Sequence, residues 1–192
     1  MRAQTIRRVF RRARPEMEAG RALYAHAVEQ ARSPVFYTVL DVPDSLDGRF
    51  DAIVLHAVLL IRRLHRASPP LAERGQAIFD ALVEDMDNSV RELGAGDLGV
   101  APRVKRMAQG FYGRYQAYEA ALDGDEDLRR ALARNLYGTV DEPEPARIEA
   151  MASYVTRESE RLEELAATEF DGRKAVFGPP PSAIAGELES SD

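Results

Sequence analysis

The run Ala52–Ile61 is apolar on every helical face, and His56 is its only interruption. A helix that is hydrophobic all round must be surrounded, either by other helices or by lipid. A membrane span needs about 20 apolar residues, roughly twice this run, and Asp51 and the pair Arg62–Arg63 close it at both ends. Phe50–Arg66 therefore reads as the buried central helix of an all-α domain, and the rest of the chain has to supply its cover.

Helical spacing elsewhere provides that cover. Glu16–Arg32 gains an apolar side from Met17, Leu23, Tyr24, Ala27 and Ala31, and Ser33-Pro34 ends it. Val35–Asp47 has the composition of a short strand, but Pro43 and the turn residues after it point to a loop laid across the bundle. Asp44 or Asp47 is expected to cap the central helix, with Gly48 and Arg49 leading into Phe50. After Ser68-Pro69-Pro70, Leu71–Leu93 aligns Ile78, Leu82, Met86, Val90 and Leu93 in one core-facing stripe. Gly94 then takes the place of a C′ glycine, and Asp87 and Arg91 are spaced to pair on the solvent side. Pro102 suits the first position of the next helix. There Val104, Ala108, Phe111, Tyr115, Tyr118 and Leu122 step by four and three, the seam of an antiparallel bundle. Gly110 and Gly113 inside this helix each cost about 1 kcal/mol against alanine, which suggests a close crossing of backbones. Glu126–Tyr137 carries Leu128, Leu132 and Leu136 on one face and stops at Gly138. The last helix, after Pro145, turns Ile148, Met151, Val155, Leu162 and Leu165 inward. Beyond Phe170 the chain is rich in proline, glycine, serine and acid, the composition of a disordered tail.

The prediction is an all-α fold: a single helical bundle of about six helices around a buried central one. A basic N-terminal arm spans residues 1–15, the helical domain 16–170 and the tail 171–192. A chain of 192 residues with 45% hydrophobic and 30% charged residues suits one domain with one core.

Charge is unevenly placed. Arg2, Arg7, Arg8, Arg11, Arg12 and Arg14 lie in the acid-free arm, and with a net charge of −6 those six cations leave −12 on the rest. A basic arm on an acidic body is a signature of contact with an anionic surface. Ile6, Val9, Phe10 and Ala13 fall at helical spacing among these arginines, so Arg7, Arg8, Arg11 and Arg12 are candidate contacts to anionic lipid or ribosomal RNA. A solvated tail is the competing reading, because so short a helix is marginal alone. No cysteine is present, which removes disulfides, thiolate catalysis and thiolate metal sites. No segment has the pattern of a secretion signal, so a cytoplasmic location is expected, peripheral on the inner membrane if the arm meets lipid.

Catalytic constellations are not evident. Gly94-Ala95-Gly96-Asp97-Leu98-Gly99 matches a dinucleotide fingerprint by letter, but a helix precedes it where a strand is required, and Asp97 would face a phosphate. His56 and His65 point to opposite sides of one helix, so they share no metal, and His56 reads as a neutral core histidine with one hydrogen-bond partner. Asp85 and Asp87 are two apart and do not share a face. Arg103, Lys105, Arg106 and Arg114 alternate with Phe111, Tyr112 and Tyr115 like a stacking surface for RNA. The aromatic spacing is that of a core seam, which leaves the basic residues as an outward patch. No catalytic residue, metal or cofactor is predicted, and DNA is not expected as a partner.

Two segments carry a resemblance. FYTVLDVPDSLDGRFDAIVLHAVLLIRRL contains Val42, Pro43, Asp44, Gly48, Arg49, Phe50 and Asp51 ahead of His56, Arg62 and Arg63. FDALVEDMDNSVRELGAGDLGVAPRVKRMAQGFYGR contains Asp85, Met86, Asp87, Arg91, Glu92, Gly94, Gly96 and Asp97. Together they resemble the ubiquinol–cytochrome c chaperone family, which comprises mitochondrial assembly factors for the cytochrome bc complex and their alphaproteobacterial relatives. The likeness is greatest over Pro34–Leu136, and a chain without a long leader resembles the bacterial branch. The resemblance implies a non-enzymatic helical chaperone that binds newly made cytochrome b or another cytochrome bc subunit until haem insertion and assembly. In mitochondria the family works near the ribosome with a small partner protein. Partner contacts are expected on loops held by a rigid frame. Val35–Asp47 offers Phe36, Tyr37, Pro43 and Asp44, followed by Arg49, while Gly94–Pro102 offers Asp97. Arg62, Arg63, Arg91, Arg103 and Lys105 complete the candidates.

Overall fold

The computed structural model describes residues 15–181, apart from Leu93, Ala95 and Gly96. The chain runs through α1 (Pro15–Ala31), α2 (Val35–Thr38), α3 (Leu46–His65), α4 (Pro69–Glu92), α5 (Asp97–Leu122), α6 (Leu128–Asn135) and α7 (Pro145–Glu164). A 3-10 turn, Ala167–Asp171, follows. No strand occurs among the described residues. Apart from the single turn α2, six helices form the bundle expected from periodicity.

α3 is the central element. Its residues Val54–Arg62 are buried without a break, which no helix with a solvent face can achieve. α1, α4, α5 and α7 pack around it. Its start differs from expectation. Ser45, not Asp44 or Asp47, is the N-cap, and its hydroxyl accepts the Gly48 N–H at 3.1 Å. The helix therefore begins at Leu46 and takes in Gly48 and Arg49. Asp44 is occupied by Arg49 at 2.6 Å, while Asp47 lies in the first turn, where the helix dipole favours negative charge.

The segment before it is a connector, as expected, with one turn of helix (α2) at its start. Leu40 and Val42 are buried. Tyr137 donates to the Leu40 carbonyl at 2.8 Å, and Arg147 donates to that of Val39. Side chains thus do for this backbone what a neighbouring strand would otherwise do.

Three other expectations need correction. Pro102 lies inside α5, since the helix starts at Asp97, so the proline removes an internal hydrogen bond instead of occupying a position that has none. Gly110 and Gly113 mark no backbone crossing. A side chain at Gly113 would meet nothing within 4 Å, and one at Gly110 only the Arg114 guanidinium, because both lie away from the neighbouring helices. The close crossing is at Gly20, where a Cβ would come 2.7 Å from the Arg74 carbonyl oxygen on α4. The tail expected from residue 171 differs from the structure over 171–181. Val176, Phe177 and Gly178 are buried, and the segment straps back across α1 and α7. The arm lies outside the described residues except for Pro15, which opens α1.

Candidate functional site

His56 sits at the midpoint of α3 and is fully enclosed by Phe36, Tyr154 and Phe177, whose rings lie 5.2 to 5.8 Å from it. It has two hydrogen-bond partners, not one. Nδ1 lies 2.7 Å from the Ala52 carbonyl oxygen, and Nε2 lies 2.8 Å from the Tyr154 hydroxyl. A carbonyl only accepts, so Nδ1 carries the proton and Nε2 accepts from Tyr154. Burial pushes the His56 pKa down to about 4 and the Tyr154 pKa up. The polar chain continues outward. Gln30 donates to the Tyr154 oxygen and to the Gly178 carbonyl, both at 2.9 Å. Gly178 N–H donates to the fully buried Glu158 at 2.7 Å, and Arg157 pairs with that carboxylate. Three helices and the strap are tied together here. Tyr154, Gln30 and Glu158 were not found by sequence reasoning. Only the i,i+4 spacing of Tyr154 and Glu158 beside the α7 stripe signalled them.

A second polar group closes the other end of α3. Arg62 is buried and bonds Asp123 at 2.7 Å, and Arg66 shares the same carboxylate. Their guanidinium groups hold the Asp123 pKa down to about 2. Arg63 donates to the carbonyls of Leu162 and Leu165, with its guanidinium over the Phe170 ring. Arg62 and Arg63 therefore fasten α3 to α5 and α7 and do not present themselves to a partner. Near the start of α3, Asp51 pairs with Arg114 of α5 at 2.8 Å, yet burial pushes its pKa up to about 6.

The remaining candidates divide by exposure. Phe36 is in the core and unavailable to a partner, because α2 turns it against His56 and Tyr154. Tyr37, Asp44 and Arg49 form a surface rim. Arg49 stacks over the Tyr37 ring at 5.0 Å while pairing with Asp44, and the Tyr37 hydroxyl donates to the Ala31 carbonyl. Half-buried Pro43 packs against Gly48. Arg91 pairs with Asp87 at 2.6 Å, as the spacing suggested, and Gly94 adopts a φ of +80° as a helix-ending glycine should. Asp97 opens α5, and Arg103 and Lys105 are exposed on it. Phe111 is core, Tyr115 half-buried and Tyr112 exposed. Arg7, Arg8, Arg11 and Arg12 lie outside the described residues.

Two open depressions of about 300 and 360 Å³ lie along α7, lined by Arg129, Arg157 and Arg161 together with Glu149, Glu160 and Glu164. Arg129 and Glu149 are already paired with each other. No group of acids and histidines suited to a metal occurs among the described residues, and no described helix is long and apolar enough to cross a membrane.

Most buried polar groups of this helical frame hold its helices to one another, although the Tyr118 hydroxyl is buried without a hydrogen-bond partner among the described residues. Its surface is built from loops and charged rims. The profile of the ubiquinol–cytochrome C chaperone family matches residues 38–177, and the chain belongs to that family. The crystal structure of the Cbp3 homolog from Brucella abortus is similar at 32% identity and a TM-score of 0.77, covering 88% of this chain and 93% of that one. No curated protein matches the chain.

Proposed function

We propose that this protein is a non-enzymatic assembly chaperone of the ubiquinol–cytochrome c reductase complex, binding newly made cytochrome b at the cytoplasmic face of the inner membrane. The observation that carries the reading is the family match over residues 38–177, made on a frame shared with the Cbp3 homolog along most of both chains. Cytochrome b is a bundle of apolar helices, which needs a holding surface until haem is in place. The rim of Tyr37, Pro43, Asp44 and Arg49, together with Arg91 and the α4–α5 connector with Asp97, is the client-facing surface in this reading. The Tyr37 and Arg49 part of this surface is held by the bonds of Tyr37 to the Ala31 carbonyl and of Arg49 to Asp44, and the loops carry function on a rigid frame. A ribosome contact and a small partner protein belong to the same proposal, with Arg7, Arg8, Arg11 and Arg12 as the RNA or lipid contacts.

Deleting the gene tests the client. Loss of the haem b absorbance and of ubiquinol–cytochrome c reductase activity, with unrelated oxidases intact, is the expected result. An unchanged haem b spectrum would refute it. Crosslinking from translating cells should recover cytochrome b with the tagged protein.

A further inference from the structure

We propose that the outward face of the N-terminal half of α5 is the surface by which this protein docks on an anionic bilayer. The proposal deepens the membrane-peripheral part of the function proposed above and rests on it.

The first observation is the charge. Between Asp97 and Glu119 the chain has no acid and four cations, Arg103, Lys105, Arg106 and Arg114, on a body that is otherwise strongly acidic. Arg114 turns inward to Asp51. Arg103, Lys105 and Arg106 are exposed and make no ion pair among the described residues. Several other exposed arginines carry acids of their own, Arg21 with Glu84, Arg49 with Asp44, Arg129 with Glu149 and Arg134 with Glu126. Arg32, Arg130 and Arg161 are exposed without an ion pair among the described residues, but they lie singly and not in an acid-free stretch. Several acids of α4 are likewise engaged. Asp80 accepts from Gln76, Asp85 from Tyr24 and Asp87 from Arg91.

The second observation is placement. Lys105, Gln109, Tyr112 and Gln116 follow one another by four, three and four residues, so they form a single line along the helix opposite the buried Val100 and Phe111. Arg106 and Gly113 lie about a quarter of a turn round from that line, and Gly110 and Arg103 more than about a third of a turn from it, so the exposed cations spread round the open side of the helix. Gly110 and Gly113, which serve no packing purpose inside the fold, keep this flank low. Tyr112 is 55% exposed, and among the described residues only Leu46 joins it as an exposed large hydrophobic. An aromatic ring with a polar tip beside cations is the composition of a headgroup-level contact.

Lipid fits this face better than RNA. The Tyr112 ring already packs on Phe79 and Phe111, with centroids 5.4 and 5.7 Å away, so it offers an edge and a hydroxyl instead of a free face for a base to stack on. The surface is also the convex outside of a helix, which meets a plane more readily than it encloses a strand.

Flotation of the full-length protein with vesicles tests this, using phosphatidylcholine alone and phosphatidylcholine with phosphatidylglycerol. Each cation near an anionic leaflet strengthens partitioning about fivefold. The triple variant Arg103→Gln, Lys105→Gln and Arg106→Gln should therefore bind the anionic vesicles about a hundredfold more weakly than wild type, with an unchanged far-ultraviolet helix signal. A second variant, with Arg7, Arg8, Arg11 and Arg12 all changed to Gln, separates the arm from α5 and should retain the larger part of the α5 contribution. Wild-type binding that the triple variant keeps within about twofold overturns the α5 assignment and leaves the membrane reading standing. No wild-type preference for anionic vesicles overturns both. Binding of ribosomal RNA that the triple variant loses, without vesicle binding, overturns the proposal in favour of a nucleic-acid surface. The haem b measurement is independent of all three.

Discussion

Replacing Phe177 by alanine asks whether residues 171–181 are structural members of the domain. The side chain is 8% exposed, and its ring meets the edge of His56 at 5.2 Å in a T-shaped pair. Truncating a buried phenylalanine costs about 3–5 kcal/mol, the spread reflecting how far the site collapses. Phe177 lies on a strap that can settle inward, which favours the low end, and that figure already contains the loss of the ring pair, about 0.5–1.5 kcal/mol of it. We expect a loss of about 3 kcal/mol. In a domain of this size that lowers Tm by about 6–12 °C. Urea denaturation followed by circular dichroism gives the free energy directly, and an unchanged m-value would place the strap in the same cooperative unit as the bundle. Leu46→Ala is the control: Leu46 is 63% exposed, so its loss should stay within about 0.5 kcal/mol. If Phe177→Ala is equally mild, the strap contributes no packing and the reasoning fails.

The same denaturation series at several pH values reads the two buried titrating groups of α3. His56 stays neutral in the folded protein down to about pH 4, whereas in the unfolded chain it takes a proton near 6.5. The unfolded state binds more protons over that window, so acidification costs stability, by about 3 kcal/mol when complete. Asp51 acts oppositely. Folded, it takes its proton near pH 6, and unfolded near 3.8, so acidification over that window favours the folded state by up to about 2 kcal/mol after allowance for its partial solvation. Asp51→Asn removes that compensation and should lose more stability than wild type between pH 6 and pH 4.5; parallel profiles would show that Asp51 does not titrate in that window. Gly113→Ala should stabilise by about 0.5–1 kcal/mol, since the position is helical and open, whereas Gly20→Ala should destabilise by about 1–3 kcal/mol against the Arg74 carbonyl. A similar response at both glycines would contradict the crossing assigned to α1 and α4.

Periodic burial was legible in the sequence, and specific side-chain partners were not. Ala52–Ile61 announced α3 because a run without a polar face admits few alternatives, and the Ile78–Val90 stripe announced α4 for the same reason. Ser45 was passed over as a cap because aspartates stood on either side, and what removed Asp44 was its pairing with Arg49, visible only in three dimensions. Gly110 and Gly113 misled because a helical glycine has more than one use, and nothing in one sequence says which. The strap was hidden by its composition. Val176 and Phe177 are two apolar residues among glycine and proline, too few for a periodic signal, yet both are buried in the core with residues of α1, α3 and α7. Among the candidate partner residues, exposure could not be read from type. Phe36 and Arg62 turned inward, while Tyr37 and Arg49, their neighbours in kind, remained at the surface.

The distribution of paired and unpaired charge also bears on how such a body approaches a membrane. A net −12 outside the arm is repelled by an anionic leaflet, and beyond a Debye length of about 8 Å that repulsion is screened at physiological salt. Close approach is therefore decided by whichever charges lie within the last few ångströms. Most exposed arginines on α1, α3 and α6 meet that surface already neutralised by their own acids, so they gain little there. Arg103, Lys105 and Arg106 have no such partner among the described residues, so they lose none of those on contact. In the docking proposed above, α5 toward the bilayer is an orientation in which local attraction opposes the global repulsion.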